Sequence, residues 1–224
     1  MTVVKKPNGD IRICLDTGHL NKAIRRQHLK LPTLQEITDN LPGAKYFSTL
    51  GAKQSFWQIK LHESSTDLCT FSTVFGKFKF LRMTYGTSSE SEIFHKKLYE
   101  HYADIEGVIL FVDDLLVYAK TKKAHDEIRR SVLQRCREIN IELNLNKRNI
   151  VLSKLKYWSH RISTDGIFAD DLHILAIKKM PSPTTVKEVE WFLGLVAYGS
   201  NYIPKFSVKS FKLRELLKKE VAWH

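Results

Sequence analysis

Cysteine is scarce in this chain, and none of it is patterned. Cys14, Cys69 and Cys136 are odd in number, far apart and without a CxxC spacing. That argues against a disulfide scaffold or a zinc finger and fits a reducing compartment. The nine histidines show no HExxH or comparable ligand spacing. No apolar run approaches the ~20 residues needed to cross a bilayer. The opening Met1-Thr2-Val3-Val4-Lys5-Lys6-Pro7 has no apolar signal-peptide core. The chain is therefore expected to be intracellular, cytoplasmic or nuclear, neither secreted nor partnered with a membrane. Basic doublets such as Lys5-Lys6, Arg25-Arg26 and Lys178-Lys179 are dispersed and form no clear nuclear import signal. There is no internal repeat and no low-complexity tract.

With 224 residues, 43% of them hydrophobic, the chain is long and apolar enough to bury a proper core. Lysine and arginine number 36 against 24 acids, a net charge of +12. Such an excess suits a polyanion, most often nucleic acid, although a generally basic protein would show it too.

The organising stretch is Gly107 to Lys120. Two β-rich apolar runs, Val108–Val112 and Leu115–Tyr118, flank Asp113 and Asp114, so the pair is expected to form the tight turn of a hairpin. Two carboxylates at roughly 4 Å repel by about 1 kcal/mol in water and about 4 at an effective dielectric of 20. A cation or a solvated turn must offset that. A polar turn is the plain alternative to a metal site.

Around this hairpin the signals alternate. Val3 to Asp16 predicts strand, Pro-Asn-Gly turn, strand. His19 to Arg26 suggests a helical turn. Thr33, with Glu36 three residues on, opens a helix carrying Leu34, Ile37 and Leu41. Tyr46 to Leu50 is a strand, and Cys69–Val74 with Lys77–Leu81 a hairpin turning at Phe75-Gly76. Ser89 and Glu92 stand in capping-box register before an amphipathic helix reaching Tyr102. His125 to Asn140 is a second, with Ile128, Val132, Cys136 and Ile139 on one face. Asn144–Ser153 and Lys156–Ile162 look like strands, and Val186–Tyr202 and Ser207–Lys219 like helices. A second acid pair, Asp170-Asp171, precedes a helical run and suits a capping or solvent-facing role. The order predicts an α+β fold: an antiparallel sheet with two helices on one face. Carboxylates on neighbouring strands of such a sheet can share two divalent metals for phosphoryl transfer, which requires a third carboxylate beside the hairpin.

Several ordered segments then carry a resemblance: Val4-Lys5-Lys6-Pro7-Asn8-Gly9, Arg12-Ile13-Cys14-Leu15-Asp16, Leu31-Pro32-Thr33, Phe47-Ser48-Thr49-Leu50, Phe56-Trp57-Gln58-Ile59, Tyr85-Gly86, Phe111-Val112-Asp113-Asp114, His160-Arg161-Ile162-Ser163 and Phe192-Leu193-Gly194. Over nearly its whole length the chain resembles the reverse transcriptase domain of retroviral and gypsy-type LTR-retrotransposon pol polyproteins. The resemblance implies a right-hand polymerase fold with an antiparallel palm sheet and two helices, partial fingers and a helical thumb. Residues 1–35 and 58–82 correspond to fingers, 36–57 and 83–157 to palm, and 158–224 to primer hairpin and thumb. It implies RNA-directed DNA synthesis by two-metal nucleotidyl transfer, with Mg²⁺ or Mn²⁺, an RNA or DNA template, a DNA primer and deoxynucleoside triphosphates. Asp113 and Asp114 match the paired catalytic, metal-binding acids. Phe56 matches the aromatic under the deoxyribose, and Lys5, Lys6 and Arg12 the cations on the triphosphate. Tyr85 and Gly86 fall in the nucleotide pocket. Lys156, Tyr157, Trp158, Ser159 and His160 match the hairpin that holds the primer.

The chain also departs from that pattern. Gly51 stands where the family has the first metal-binding aspartate, the third carboxylate the chemistry requires. Ser55, Glu90-Ser91, Gly18 and Trp158-Ser159 are further departures. The N-terminal part of the fingers is missing, as are protease, RNase H and integrase regions. The expectation is a truncated, degenerate copy, impaired in catalysis by Gly51. The alternative is an inactive retroelement-derived nucleic-acid-binding protein or a decayed element relic.

Overall fold

A computed structural model describes residues 1–5, 9–26, 29, 31–158 and 160–218, and the chain divides into two units, residues 1–155 and 156–224. In the first unit β1 (Thr2–Lys5) pairs antiparallel with β2 (Ile11–Cys14), Val3 opposite Ile13. A short helix α1 (Leu20–Ala23) follows. Helix α2 (Leu34–Asn40) starts with the reciprocal cap: the Thr33 N–H donates to Glu36 Oε2 (2.8 Å) and the Glu36 N–H to Thr33 Oγ1 (3.2 Å).

The main sheet is built from β3 (Tyr46–Gly51), β6 (Val108–Phe111), β7 (Asp114–Ala119) and β8 (Asn149–Leu152), in the order β6-β7-β3-β8, all antiparallel. Between β3 and β6 lie α3 (Glu63–Thr66), the hairpin β4 (Thr70–Thr73) and β5 (Gly76–Lys79), and α4 (Glu90–Tyr102). Helix α5 (Lys122–Glu138) follows β7; Thr121 caps it by accepting the Ala124 N–H at 3.2 Å. Strand side chains alternate between faces. Leu50, Ala52, Leu115 and Val117 point to one face and pack with Phe94, Leu98 and Tyr102 of α4 and with Val132 and Cys136 of α5. Each such fully buried apolar side chain contributes about 1.5–3 kcal/mol. Gly51 and Asp114, opposite each other in the register, fall on the face away from these helices.

In the second unit, which begins within β9 (Lys154–Tyr157), the sheet order is β11 (Gly166–Ala169), β10 (His160–Ser163), β9. Helices α6 (Asp171–Lys179), α7 (Val186–Tyr198) and α8 (Phe206–Glu215) complete it. Thr185 caps α7 by accepting the Glu188 N–H (3.3 Å), and Val189 and Leu193 form its buried stripe. Asp170 sits at the N-cap position of α6 and holds the Lys156 ammonium, while Asp171 pairs with Arg161 at 2.9 Å. The second acid pair is thus spent on local ion pairs.

Local signals fail at three places. Only Asp113 lies in the acidic turn; Asp114 is already the first residue of β7, opposite Phe111. The β4–β5 turn is Val74-Phe75, since Thr73 pairs with Gly76. Ser89 makes no side-chain cap: its backbone (φ −108°, ψ 3°) is outside the extended region an N-cap adopts, and the Glu92 carboxylate, the other half of the box, binds the Arg26 guanidinium instead (Nε at 3.1 Å). After Gly51 the chain turns into a 3-10 helix at Ser55–Gln58.

Among the described residues three histidines are buried, His95, His125 and His160, and burial is the largest cause holding each below its ordinary pKa. Both His125 ring nitrogens lack a hydrogen-bond partner among the described residues. The unfolded chain then binds more protons than the folded one once pH drops below the ordinary histidine range of about 6.5, so stability is lost as pH falls. We expect the thermal midpoint to fall between pH 7.5 and pH 5.5, and His125→Leu to flatten that dependence. An unchanged slope in the variant would show that His125 is not a source of it.

Candidate active site

The acidic hairpin owes its geometry to a two-residue turn, Val112-Asp113. Val112 is left-handed (φ +55°). Its N–H donates to Nδ1 of buried His95 (3.2 Å), and the Asp113 carbonyl accepts the Ala52 N–H (3.1 Å). Asp114 then starts β7 directly opposite Gly51.

Gly51 has ordinary strand backbone rather than a positive φ, so no conformational demand explains glycine there. A Cβ at Gly51 would meet Asp114 Oδ1 at 2.8 Å and Lys147 Cδ at 3.9 Å. The Asp114 carboxylate lies in the space a side chain would fill. Asp114 is exposed as a residue, but protein crowding its carboxylate, then the neighbouring Asp113 charge, raises its pKa, and Lys147 pulls it down.

Beside the hairpin opens a cavity of about 1450 Å³ whose lining includes Arg12, Phe56, Tyr85, Asp113 and Lys147. The structure thus brings together Asp113 and three of the nucleotide-site candidates. The Arg12 guanidinium lies over the Tyr85 ring (4.6 Å), a cation–π contact that fixes its direction. Phe56 is nearly buried, with its ring against Tyr85 (4.9 Å) and Phe94 (5.8 Å). Burial raises the Tyr85 pKa, against smaller opposing pulls from Ser55 and Arg12. Gly86 has a structural duty: at φ +113° its missing Cβ makes room for the Leu15 carbonyl, and its own carbonyl accepts from the Thr17 hydroxyl and the Asn21 amide. Lys5 is exposed on β1 and does not line this cavity. Lys6 lies outside the described residues.

Of the primer-hairpin candidates, Ser159 lies outside the described residues and the others belong to the second unit. Tyr157 is buried. His160 is buried too, stacked on Tyr198 (5.7 Å between centroids), and its Nδ1 lies 2.8 Å from the Tyr202 hydroxyl. Burial lowers the His160 pKa, and the direction of the hydrogen bond to Tyr202 follows the tautomer of the ring. Trp158 is left-handed and meets His160 edge-on (5.9 Å).

As a metal site the hairpin is short of ligands. Among the described residues no group of three or more histidines, cysteines and acids is placed to hold an ion. Two carboxylates can hold one hard cation whose other positions are filled by water. They do not fit a metal pair, because Gly51 offers no bridging carboxylate. Two residues of this region escaped the sequence-level analysis. Lys147 carried no local signal. His95 carried one, since it shares the buried helical spacing of Phe94, Leu98 and Tyr102.

An antiparallel sheet backed by two helices, with an acid-tipped hairpin beside a basic, aromatic-lined cavity, is an α+β fold of the polymerase class. The chain matches the family described as reverse transcriptase (RNA-dependent DNA polymerase) over residues 4–165. It is 31% identical, over 90% of its length, to the retrovirus-related Pol polyprotein from transposon opus of Drosophila melanogaster, and 30% identical, over 96%, to that from transposon 412 of the same fly. It spans 20% and 18% of those relatives. Among solved structures, the foamy viral protease–reverse transcriptase shares the fold: TM-score 0.90 at 23% identity, covering 99% of this chain and 39% of that one, in a complex with double-stranded DNA. The same enzyme in complex with an RNA/DNA hybrid gives 0.82 at 23% identity, covering 98% of this chain and 30% of that one. The chain belongs to the reverse transcriptase family. No helix among the described residues is long and apolar enough to cross a membrane.

Proposed function

We propose that this reverse-transcriptase-like domain binds template–primer and presents a nucleotide pocket, but that its polymerase chemistry is impaired. The carrying observation is Gly51 opposite Asp114, with the Asp114 carboxylate lying where a third carboxylate's stem would stand. In this proposal Asp113 and Asp114 are the metal-binding acids. A bound Mg²⁺ or Mn²⁺ would supply charge neutralisation at the reacting phosphate. Phe56, braced by Phe94, is a rigid floor for the sugar, and Arg12, braced by Tyr85, a directed cation for the triphosphate. Lys5, on β1, and Lys6 would meet the triphosphate.

We assign residues 1–35 and 58–82 to fingers, 36–57 and 83–157 to palm, and 158–224 to primer hairpin and thumb. Lys156 to His160 would hold the primer end. The start of the second unit at Lys156 supports grouping that hairpin with the thumb. The foamy viral complexes, and a net charge of +12 here, support an RNA/DNA hybrid or DNA duplex as partner.

Fluorescence anisotropy with a labelled RNA/DNA hybrid tests this. Affinity should fall at least about tenfold between 50 and 200 mM salt, because released counterions drive the binding. Absent or salt-insensitive binding by a chain that circular dichroism shows to be folded would contradict the proposal.

A further inference from the structure

Val112 is a β-branched residue in the left-handed region, where such residues rarely settle unless the surroundings hold them. It is half of the two-residue turn whose other half is Asp113. The turn has two fastenings outside its own hairpin. The Ala52 N–H donates to the Asp113 carbonyl (3.1 Å), which is the sheet side. The Val112 N–H donates to His95 Nδ1 (3.2 Å), which is the helix side.

His95 is only 2% exposed. It stands on α4 next to the buried Phe94, with Tyr99 stacked one turn on (6.1 Å between centroids). An imidazole accepts only at an unprotonated nitrogen, so the hydrogen bond selects the tautomer with the proton on Nε2. Burial, which holds the ring neutral, is consistent with that.

We infer that His95 is a positioning residue: by accepting the Val112 N–H it locks the strained turn and so fixes where the Asp113 carboxylate stands. Leucine at 95 would fill similar space but remove the acceptor of the part-buried Val112 N–H. Glutamine could return an acceptor through its amide oxygen. The inference rests on the proposal that Asp113 is a metal ligand, so its test reads the turn and the metal separately.

The variants are His95→Leu, His95→Phe (which keeps a ring but no acceptor), His95→Gln and Asp113→Asn. The readouts are backbone amide exchange by NMR and Mn²⁺ binding by electron paramagnetic resonance. Amide exchange at Val112 should accelerate in the leucine and phenylalanine variants while the Leu115 and Val117 amides keep their rates, and glutamine should restore protection. Mn²⁺ affinity should fall about tenfold with leucine or phenylalanine, the usual effect of removing a group that orients a ligand, and stay within about threefold with glutamine. Unchanged Val112 exchange in both variants lacking an acceptor would overturn the inference. So would undiminished Mn²⁺ affinity in those variants when Asp113→Asn abolishes it. If the unaltered chain and Asp113→Asn bind Mn²⁺ equally, the metal-ligand role of Asp113 is what fails, and the exchange data still decide whether His95 holds the turn.

Discussion

Primer extension by Gly51→Asp should exceed that of the unaltered chain by at least about 10³-fold, because each ~1.4 kcal/mol of restored transition-state stabilisation is a decade of rate. Position 51 is suited to the change. Its backbone is ordinary strand, so a side chain brings no conformational strain. The atom a new Cβ would meet is Asp114 Oδ1, the mobile end of a side chain that can rotate away. The variant would place three carboxylates on β3, β7 and the turn before β7, where the unaltered chain has two. Equal extension by both proteins, measured with Mg²⁺ and with Mn²⁺, would show that Gly51 does not limit the chemistry.

Phe94→Ala should destabilise the first unit by about 3–5 kcal/mol, the range for removing a buried aromatic side chain. Phe94 is 0% exposed and sits between the sheet and the helices, in the cluster that contains Leu50, Leu115, Val117 and Val132. Its ring meets Phe56 nearly edge to face, with an interplanar angle of 71°. The cavity it leaves would therefore open beneath the Phe56 floor as well as in the core. Chemical denaturation followed by tryptophan fluorescence measures the loss. A change below about 1 kcal/mol would mean that the core closes around the gap far better than rigid packing allows.

The sheet and its two helices were legible because each rests on a local period. The apolar runs around the acid pair have strand length, and the helix spacing at Ile128, Val132, Cys136 and Ile139 holds through α5. One cap was legible for the same reason, at Thr33, with a glutamate three residues on; the Thr185 cap lies in a stretch that reads as linker. Long-range competition was not legible. Ser89 and Glu92 carry the same spacing, but Arg26, 66 residues away in sequence, takes the Glu92 carboxylate.

Part of the site was hidden in the same way. That one acid would fall in the turn and the other on the strand depends on the left-handed backbone of Val112 and on its bond to His95. Spacing along the chain shows neither. Lys147 reaches the hairpin only through the tertiary fold, and no motif marks it. Lys156 reads as a cation available to a primer, yet Asp170 takes it as a partner. Gly51 was the opposite case: a single letter that mattered through the strand beside it, and the register sets it against Asp114.

The most direct measurement is single-turnover extension by the unaltered chain, with template–primer held saturated as judged by anisotropy in the same sample. The Asp113→Asn/Asp114→Asn double variant serves as the control. The account predicts full binding by both proteins and no more product from the unaltered chain than from the control. Sustained, metal-dependent extension well above that control would contradict it.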